Sequence, residues 1–115
     1  MKHRTVPDTF GFNWLQELDS RTSIAREMRE RYIALTNDLG GADSLSYQQR
    51  SLVERALWLE YWLAKQEREL ASGGEFAINS WVQGCNSLQG IYSKLGLARQ
   101  AKEISLQDYL REAKQ

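Results

Sequence analysis

Few side chains in this sequence have the type and spacing that catalysis or metal binding requires. The only histidine, His3, lies near the start of the chain, and the only cysteine, Cys85, lies on the apolar side of a predicted helix. A histidine near a chain end has no fixed geometry for proton transfer, and a buried cysteine usually behaves as a small hydrophobic residue. The acidic residues occur singly, without the Glu-x-x-His or paired-carboxylate spacing of a metal site. We therefore expect no enzymatic activity, no metal, no cofactor and no small-molecule substrate.

Arginine offers a different chemistry, because its guanidinium group can contact phosphate oxygens. Four arginines lie on a predicted first helix, where Glu27 and Glu30 are interleaved with them: Arg21, Arg26, Arg29 and Arg31. They form either a face that contacts DNA or a solvated face stabilised by local ion pairs, each worth about 0.2–0.5 kcal/mol. Basic residues outside this helix are also available to DNA. The full set of predicted DNA contacts is Arg4, Arg26, Arg29, Arg31, Arg99 and Lys102.

Composition bounds the class of protein. The 115 residues suffice for one domain with a real core, and the 15 Lys and Arg residues balance the 15 Asp and Glu residues. Any binding to nucleic acid must therefore come from a local patch. The longest apolar run, 56–64, contains Glu60 and is far shorter than the ~20 residues that span a bilayer. With no apolar N-terminal segment, we expect a soluble cytoplasmic protein with no membrane partner.

The elements that must position these side chains are helices. The only proline is Pro7, and β-branched runs are absent, so the sequence predicts an all-α fold. One long central helix is predicted over 45–72, because Ser46 and Gln49 form a capping-box pattern and Gly73 follows its end. Its apolar residues recur every three or four positions and predict a buried stripe of Leu52, Ala56, Leu59, Leu63 and Leu70.

A third helix is predicted over 78–95, with Asn79 or Ser80 as its cap. Trp81, Cys85 and Leu88 are expected to pack antiparallel against Ala56, Leu59 and Leu63 as a helical hairpin. They belong to a predicted apolar seam of Ile78, Trp81, Cys85, Leu88, Tyr92 and Leu95. Between Glu75 and Lys94 there is no charged residue. The uncharged side is either incidental in a buried helix or a surface for close contact with another subunit. On the second interpretation, the predicted oligomer interface is Trp58, Trp62, Gly84, Ser87 and Gly90.

The remaining segments flank this hairpin. The first helix is predicted over 20–39, and a short last helix over 105–115. Residues 1–18 are expected to be an arm that packs by its aromatic side chains, either on the core of its own chain or on a neighbouring subunit or partner. The residues for partner docking are Phe10, Phe12 and Trp14. The predicted organisation is an arm (1–18), a helical core domain (19–97) and a C-terminal connector with the short helix (98–115).

Two stretches resemble the long helical hairpin of small phage- and prophage-encoded proteins related to terminase small subunits: LVERALWLEYWLAKQERELASGG and INSWVQGCNSLQGIYSKLGLARQAK. In those proteins an apolar and aromatic helix leads through a glycine turn to a second helix, which ends in Leu-Gly-Leu with basic residues after it. The matching residues here are Leu95, Gly96, Leu97, Arg99 and Lys102. The resemblance implies a viral protein that forms rings and helps a large terminase subunit select double-stranded DNA for packaging.

Two functions from different classes follow from these observations. The first is a terminase small subunit-like homo-oligomer that contacts DNA and a large terminase subunit. The second is a small helical adaptor or inhibitor that binds one protein partner without nucleic acid. Neutral net charge favours the second function, whereas the resemblance and the surplus of apolar surface on the central helix favour the first.

Overall fold

The computed structural model describes residues 2–96 of the chain. Three α-helices follow one another: α1 (Ser23–Asp38), α2 (Tyr47–Ala71) and α3 (Ile78–Leu95), with a 3₁₀ turn (Ala42–Ser44) between the first two. Within residues 2–96 there is no β-strand beyond an isolated bridge between His3 and Leu18. The all-α prediction is therefore confirmed. The predicted short helix over 105–115, together with Leu97, Arg99 and Lys102, lies outside the described residues.

The central helix α2 is unbroken, as predicted. The Ser46 hydroxyl accepts from the Gln49 backbone N–H, and the Gln49 side chain accepts from the Ser46 N–H, which completes the capping box. Gly73 takes a positive φ of 82° just after the helix ends. At 1.5 Å per residue, its 25 residues span about 37 Å.

Helices α2 and α3 form the predicted antiparallel hairpin. The antiparallel direction is shown by two side-chain hydrogen bonds between the helices. Trp81, near the start of α3, contacts Glu67 near the end of α2, and Tyr92, near the end of α3, contacts Glu60 earlier in α2. Gly96 ends α3 in the left-handed conformation at φ 70°. The predicted cap of α3 was wrong: the helix begins at Ile78 after Ala77, which makes no side-chain cap hydrogen bond. Asn79 and Ser80 already lie inside its first turn.

The core along α2 matches the predicted stripe only in part: Ala56 and Leu63 are buried as predicted, but Val53 and Leu57 beside the stripe are buried too. Val53, Ala56 and Leu57 are fully buried, whereas Leu59 and Leu52 are only half-buried. Leu70, the last residue of the predicted stripe, is 55% exposed. The reason is that α1 and the N-terminal segment cover one side of α2, so the face turned toward them is buried most deeply.

Opposite this face lie residues from three segments. They are buried and form one cluster with α2: Val6, Trp14, Leu15 and Leu18 of the N-terminal segment, Ala25, Met28, Leu35 and Leu39 of α1 and its end, and Leu95 of α3. Leu95 is the only residue of α3 that is fully buried. Trp81, Cys85 and Leu88 are half-buried, so the predicted pairing at the turn end of the hairpin is peripheral.

Residues 2–22, which are the predicted arm together with its link to α1, pack on the same chain, and we call this whole segment the arm from here on. The arm folds back on itself where the His3 N–H donates to the Glu17 carbonyl at 2.7 Å. It leads into α1 through Thr22, whose hydroxyl accepts from the Ala25 N–H as the helix cap. In this structure the arm covers the core of its own chain, which is the first of the two arrangements considered above.

Candidate functional site

The side of α3 turned away from α2 is an exposed surface without charge. Ile78 is 60% exposed and Val82 is 42% exposed, and they lie one turn apart on the same side of the helix. The prediction that Ile78 belongs to the buried seam was therefore wrong, because the start of α3 extends past the cover that α2 provides. Asn86, Gln89 and Gly90 continue this side toward the end of α3 and are also exposed. We call this surface, Ile78 to Gly90 on the side away from α2, the α3 outer face. Its composition suits contact with another protein surface, since contact would bury no unpaired ion.

The predicted interface residues on α3 divide between two surroundings. A Cβ atom on Gly84 would lie 2.8 Å from Leu63 Cδ2, so Gly84 faces α2 and allows the two helices to approach closely. A Cβ atom on Gly90 would meet nothing within 4 Å. Ser87 is exposed at the border of the α3 outer face. Gly84 therefore serves the hairpin itself, and Ser87 and Gly90 are the predicted residues that are accessible.

The two tryptophans predicted to meet a neighbouring subunit are engaged by the arm. Both indole N–H groups donate to the Pro7 carbonyl oxygen, from Trp58 at 2.9 Å and from Trp62 at 3.2 Å. The ring of Phe10 packs edge-on against Trp58 with centroids 6.2 Å apart. The arm thus covers part of the apolar side of α2; Trp58 and Trp62 are half-buried, and their assignment to the interface stays a prediction.

Trp14, named above as a docking residue, is part of the core of its own chain. It is 2% exposed, and its indole N–H donates to the Glu54 carbonyl oxygen at 3.0 Å. Phe10 and Phe12 are half-buried beside arginines: the Arg55 guanidinium lies 4.3 Å from the Phe10 ring centroid, and the Arg50 guanidinium lies 5.8 Å from that of Phe12. Of the three aromatic residues, only Phe10 and Phe12 retain surface for a partner.

Glu54 holds the arm in place and was not singled out from the sequence. It is 4% exposed, and its two carboxylate oxygens accept from the Asn13 backbone N–H at 3.0 and 3.2 Å. Burial raises the pKa of the Glu54 carboxyl above its ordinary value, and the Asn13 N–H opposes this shift. Asn13 itself has a positive φ of 72°. The available signal was a glutamate amid the apolar positions of α2, but its partner depends on the path of the arm.

The arginines predicted to contact DNA differ in whether they form ion pairs with carboxylates. Arg26 and Arg29 are exposed on α1. Arg31 pairs with Glu27 at 3.1 Å and lies 3.8 Å from Glu60, so it supports the solvated ion-pair interpretation. Arg99 and Lys102 lie outside the described residues.

Arg4 belongs to an ion cluster at the end of the arm. It lies 3.4 Å from Asp19, which Arg21 approaches to 2.8 Å. Hydrogen bonds from Arg21, with the positive charges of Arg21 and Arg4, hold the pKa of Asp19 well below its ordinary value. This cluster fixes the junction between the arm and α1.

A cleft of about 310 Å³ between the arm, α1 and α2 brings Arg4 and Arg31 together with Arg68. Sequence analysis did not single out Arg68, since it lies on α2, far along the chain from the other two. A second cleft of about 290 Å³ lies where Tyr92 of α3 donates a short hydrogen bond to Glu60 of α2, near Arg31 of α1. Burial and the Glu60 carboxylate raise the pKa of Tyr92 well above its ordinary value.

Among residues 2–96, the one histidine is exposed and the one cysteine is half-buried. His3 lies 4.0 Å from Glu17 with both side chains exposed, and Cys85 is half-buried and free. Across this range no three His, Cys, Asp or Glu side chains are grouped to hold a metal ion. None of the three helices is both long and apolar enough to cross a membrane.

Comparison of the chain with protein families, with curated proteins and with solved structures finds no match. The interpretation of the surfaces described above therefore depends on their own geometry and charge.

Proposed function

We propose that the protein is a non-enzymatic, self-associating helical protein of the kind that its hairpin resembles. Its role would be that of a terminase small subunit, which assembles and helps a large terminase subunit select viral double-stranded DNA for packaging. The observation that carries the proposal is the α3 outer face, where Ile78 and Val82 are exposed on a helix side without charge.

Self-association is favoured because the α3 outer face suits a second copy of itself. Two uncharged faces can meet without like-charge repulsion, and the absence of a Cβ atom at Gly90 allows close approach of another backbone. Gly90 costs about 1 kcal/mol relative to alanine inside a helix, and close packing would offset that cost. The arm covers part of the apolar side of α2, where Trp58 and Trp62 are half-buried, so the α3 outer face is the stronger reason for assembly.

Light scattering at several protein concentrations tests this part of the proposal. We expect the mass to exceed that of the 13.3 kDa chain and to rise with concentration. A mass that stays equal to that of one chain at high concentration would contradict self-association. It would favour the second function, an adaptor that binds one partner through the same face or through Phe10 and Phe12. Neutral net charge supports that alternative.

DNA contact is assigned to Arg26 and Arg29, since both are exposed, whereas Arg4 and Arg31 already lie close to carboxylates. Fluorescence anisotropy with a labelled duplex measures this contact. Replacing both arginines (Arg26→Gln with Arg29→Gln) should weaken binding and lower the slope of log affinity against log salt concentration by about 2, because each lost phosphate contact removes about 0.9.

A matched control keeps the net charge of the variant the same. Arg50→Gln with Arg55→Gln removes two exposed arginines of α2 that lie beside Phe12 and Phe10. We expect this control to bind the duplex as the wild type does. Equal loss in both double variants would indicate only a general effect of charge, and absence of binding by the wild type would exclude the DNA role.

A further inference from the structure

The cleft between the arm, α1 and α2 combines an apolar floor with a basic rim. Met28 is buried, and Ile24, Tyr61 and Ala64 are half-buried, so these four side chains provide the floor. The exposed side chains of the rim are Arg4, Thr5, Glu27, Arg31 and Arg68. We call this the arginine cleft. Its volume of about 310 Å³ is at the lower end of the range for small-ligand sites.

The charges around the arginine cleft do not balance. Asp19 is shared by Arg4 and Arg21, and Arg31 has Glu27 at 3.1 Å and Glu60 at 3.8 Å. Within the described part of the chain, no carboxylate lies within 4 Å of Arg68. Of the three arginines that line the cleft, Arg4 and Arg31 thus have carboxylate partners, and Arg68 leaves a positive charge at its side of the cleft.

We propose that the arginine cleft binds a carboxylate carried on a short apolar group. The apolar part would lie against Met28 and Tyr61, and the carboxylate would accept from the planar N–H groups of Arg68, a pairing that is often bidentate. A single negative charge matches the positive charge that Arg68 presents, and the apolar group matches the side chains of the floor.

The same chemistry has two sources, an acidic side chain of a peptide and a free small acid. Two probes separate them: hexanoate, and an acetylated and amidated Leu-Glu-Leu tripeptide. Tighter binding of the tripeptide would assign the cleft to a protein partner, and tighter binding of hexanoate would assign it to a free acid. Either result supports the proposal.

The test is an NMR titration of the full-length chain, following the signals of Met28, Tyr61 and Ala64. Hexanoate should shift these signals, and neutral hexanol at the same concentration should not, because it lacks the charge that Arg68 receives. This comparison uses the wild-type protein, so it remains decisive even if a variant fails to fold. Absence of shifts, or equal shifts with hexanol, would overturn the proposal.

Two variants then locate the charge. Arg68→Gln should weaken hexanoate binding by about tenfold or more, the range expected for one lost charge-assisted hydrogen bond. Arg50→Gln removes an exposed arginine of α2 outside the cleft and should leave the affinity unchanged. Equal affinities for wild type and Arg68→Gln would contradict the assignment.

Stronger shifts of the same signals by a short DNA duplex would also contradict it, because the cleft would then be a phosphate contact. None of these outcomes depends on self-association.

Discussion

At the scale of single residues, Gly84 and Gly90 show what a sequence pattern can and cannot separate. Both interrupt α3, and sequence analysis placed both on one contact face. The structure turns Gly84 toward Leu63, and it leaves Gly90 in open space. A signal was present, since positions 63 and 84 are equally far from the glycine pair at 73–74 and therefore meet in an antiparallel hairpin.

This difference predicts opposite effects of the same substitution. Gly90→Ala should raise the free energy of unfolding by about 0.5–1 kcal/mol, because alanine is favoured in a helix and nothing obstructs its methyl group. Gly84→Ala gains the same preference but forces the buried Leu63 side chain to move, at a cost of about 1–3 kcal/mol. We expect a net loss of about 1 kcal/mol. Urea denaturation at a concentration too low for association measures both, and equal stabilisation by the two variants would contradict the close contact.

Other residue-scale contacts could not be predicted. The Pro7 carbonyl accepts from two indoles, and the Glu54 carboxylate accepts from Asn13. Each contact joins positions more than 40 apart in the chain, and its existence depends on the path of an arm that has no helical period. Residue types alone do not specify such a path.

At the scale of elements, helix bounds were accessible from the sequence because local chemistry sets them. The capping box of Ser46 and the left-handed Gly96 act within one turn of the helix they bound. The bounds of α3 were predicted correctly, but its cap was not, because no side chain caps it. The buried side of α2 was predicted only in part: Ala56 and Leu63 are buried, whereas Leu59 and Leu70 are not. Since α2 is apolar on nearly every side, its neighbours, rather than its own period, determine which side is covered most deeply.

Leucine truncations measure which side of α2 is the core. Leu57 is fully buried among the arm and α1, and Leu57→Ala should cost about 2–5 kcal/mol of unfolding free energy. Leu59 is half-buried, and Leu59→Ala should cost clearly less because solvent already reaches its side chain. The two substitutions remove the same atoms, so each serves as the control for the other. A larger loss for Leu59→Ala in chemical denaturation would restore the stripe that the sequence predicted.

At the scale of the whole molecule, the chain itself covers much of its central helix, whereas α3 has only one fully buried residue and keeps one side exposed. The arm and α1 cover one side of α2, and the hairpin covers another. What remains is the α3 outer face, uncharged and bearing Ile78 and Val82. The lack of charge could be predicted directly from the sequence. The structure was needed to show which positions of this face are accessible.

The central claim is that this face joins copies of the chain, and a charge placed on it is the most direct test. Val82→Glu introduces a carboxylate at the middle of the α3 outer face, where assembly would have to desolvate it. Ile33→Glu makes the matched change on α1, at a residue that is 52% exposed and lies outside that face. The measurement is mass by light scattering across a concentration series. Assembly of the wild type and Ile33→Glu, with Val82→Glu remaining a folded single chain, is the predicted result; assembly of Val82→Glu to the wild-type mass would contradict the claim.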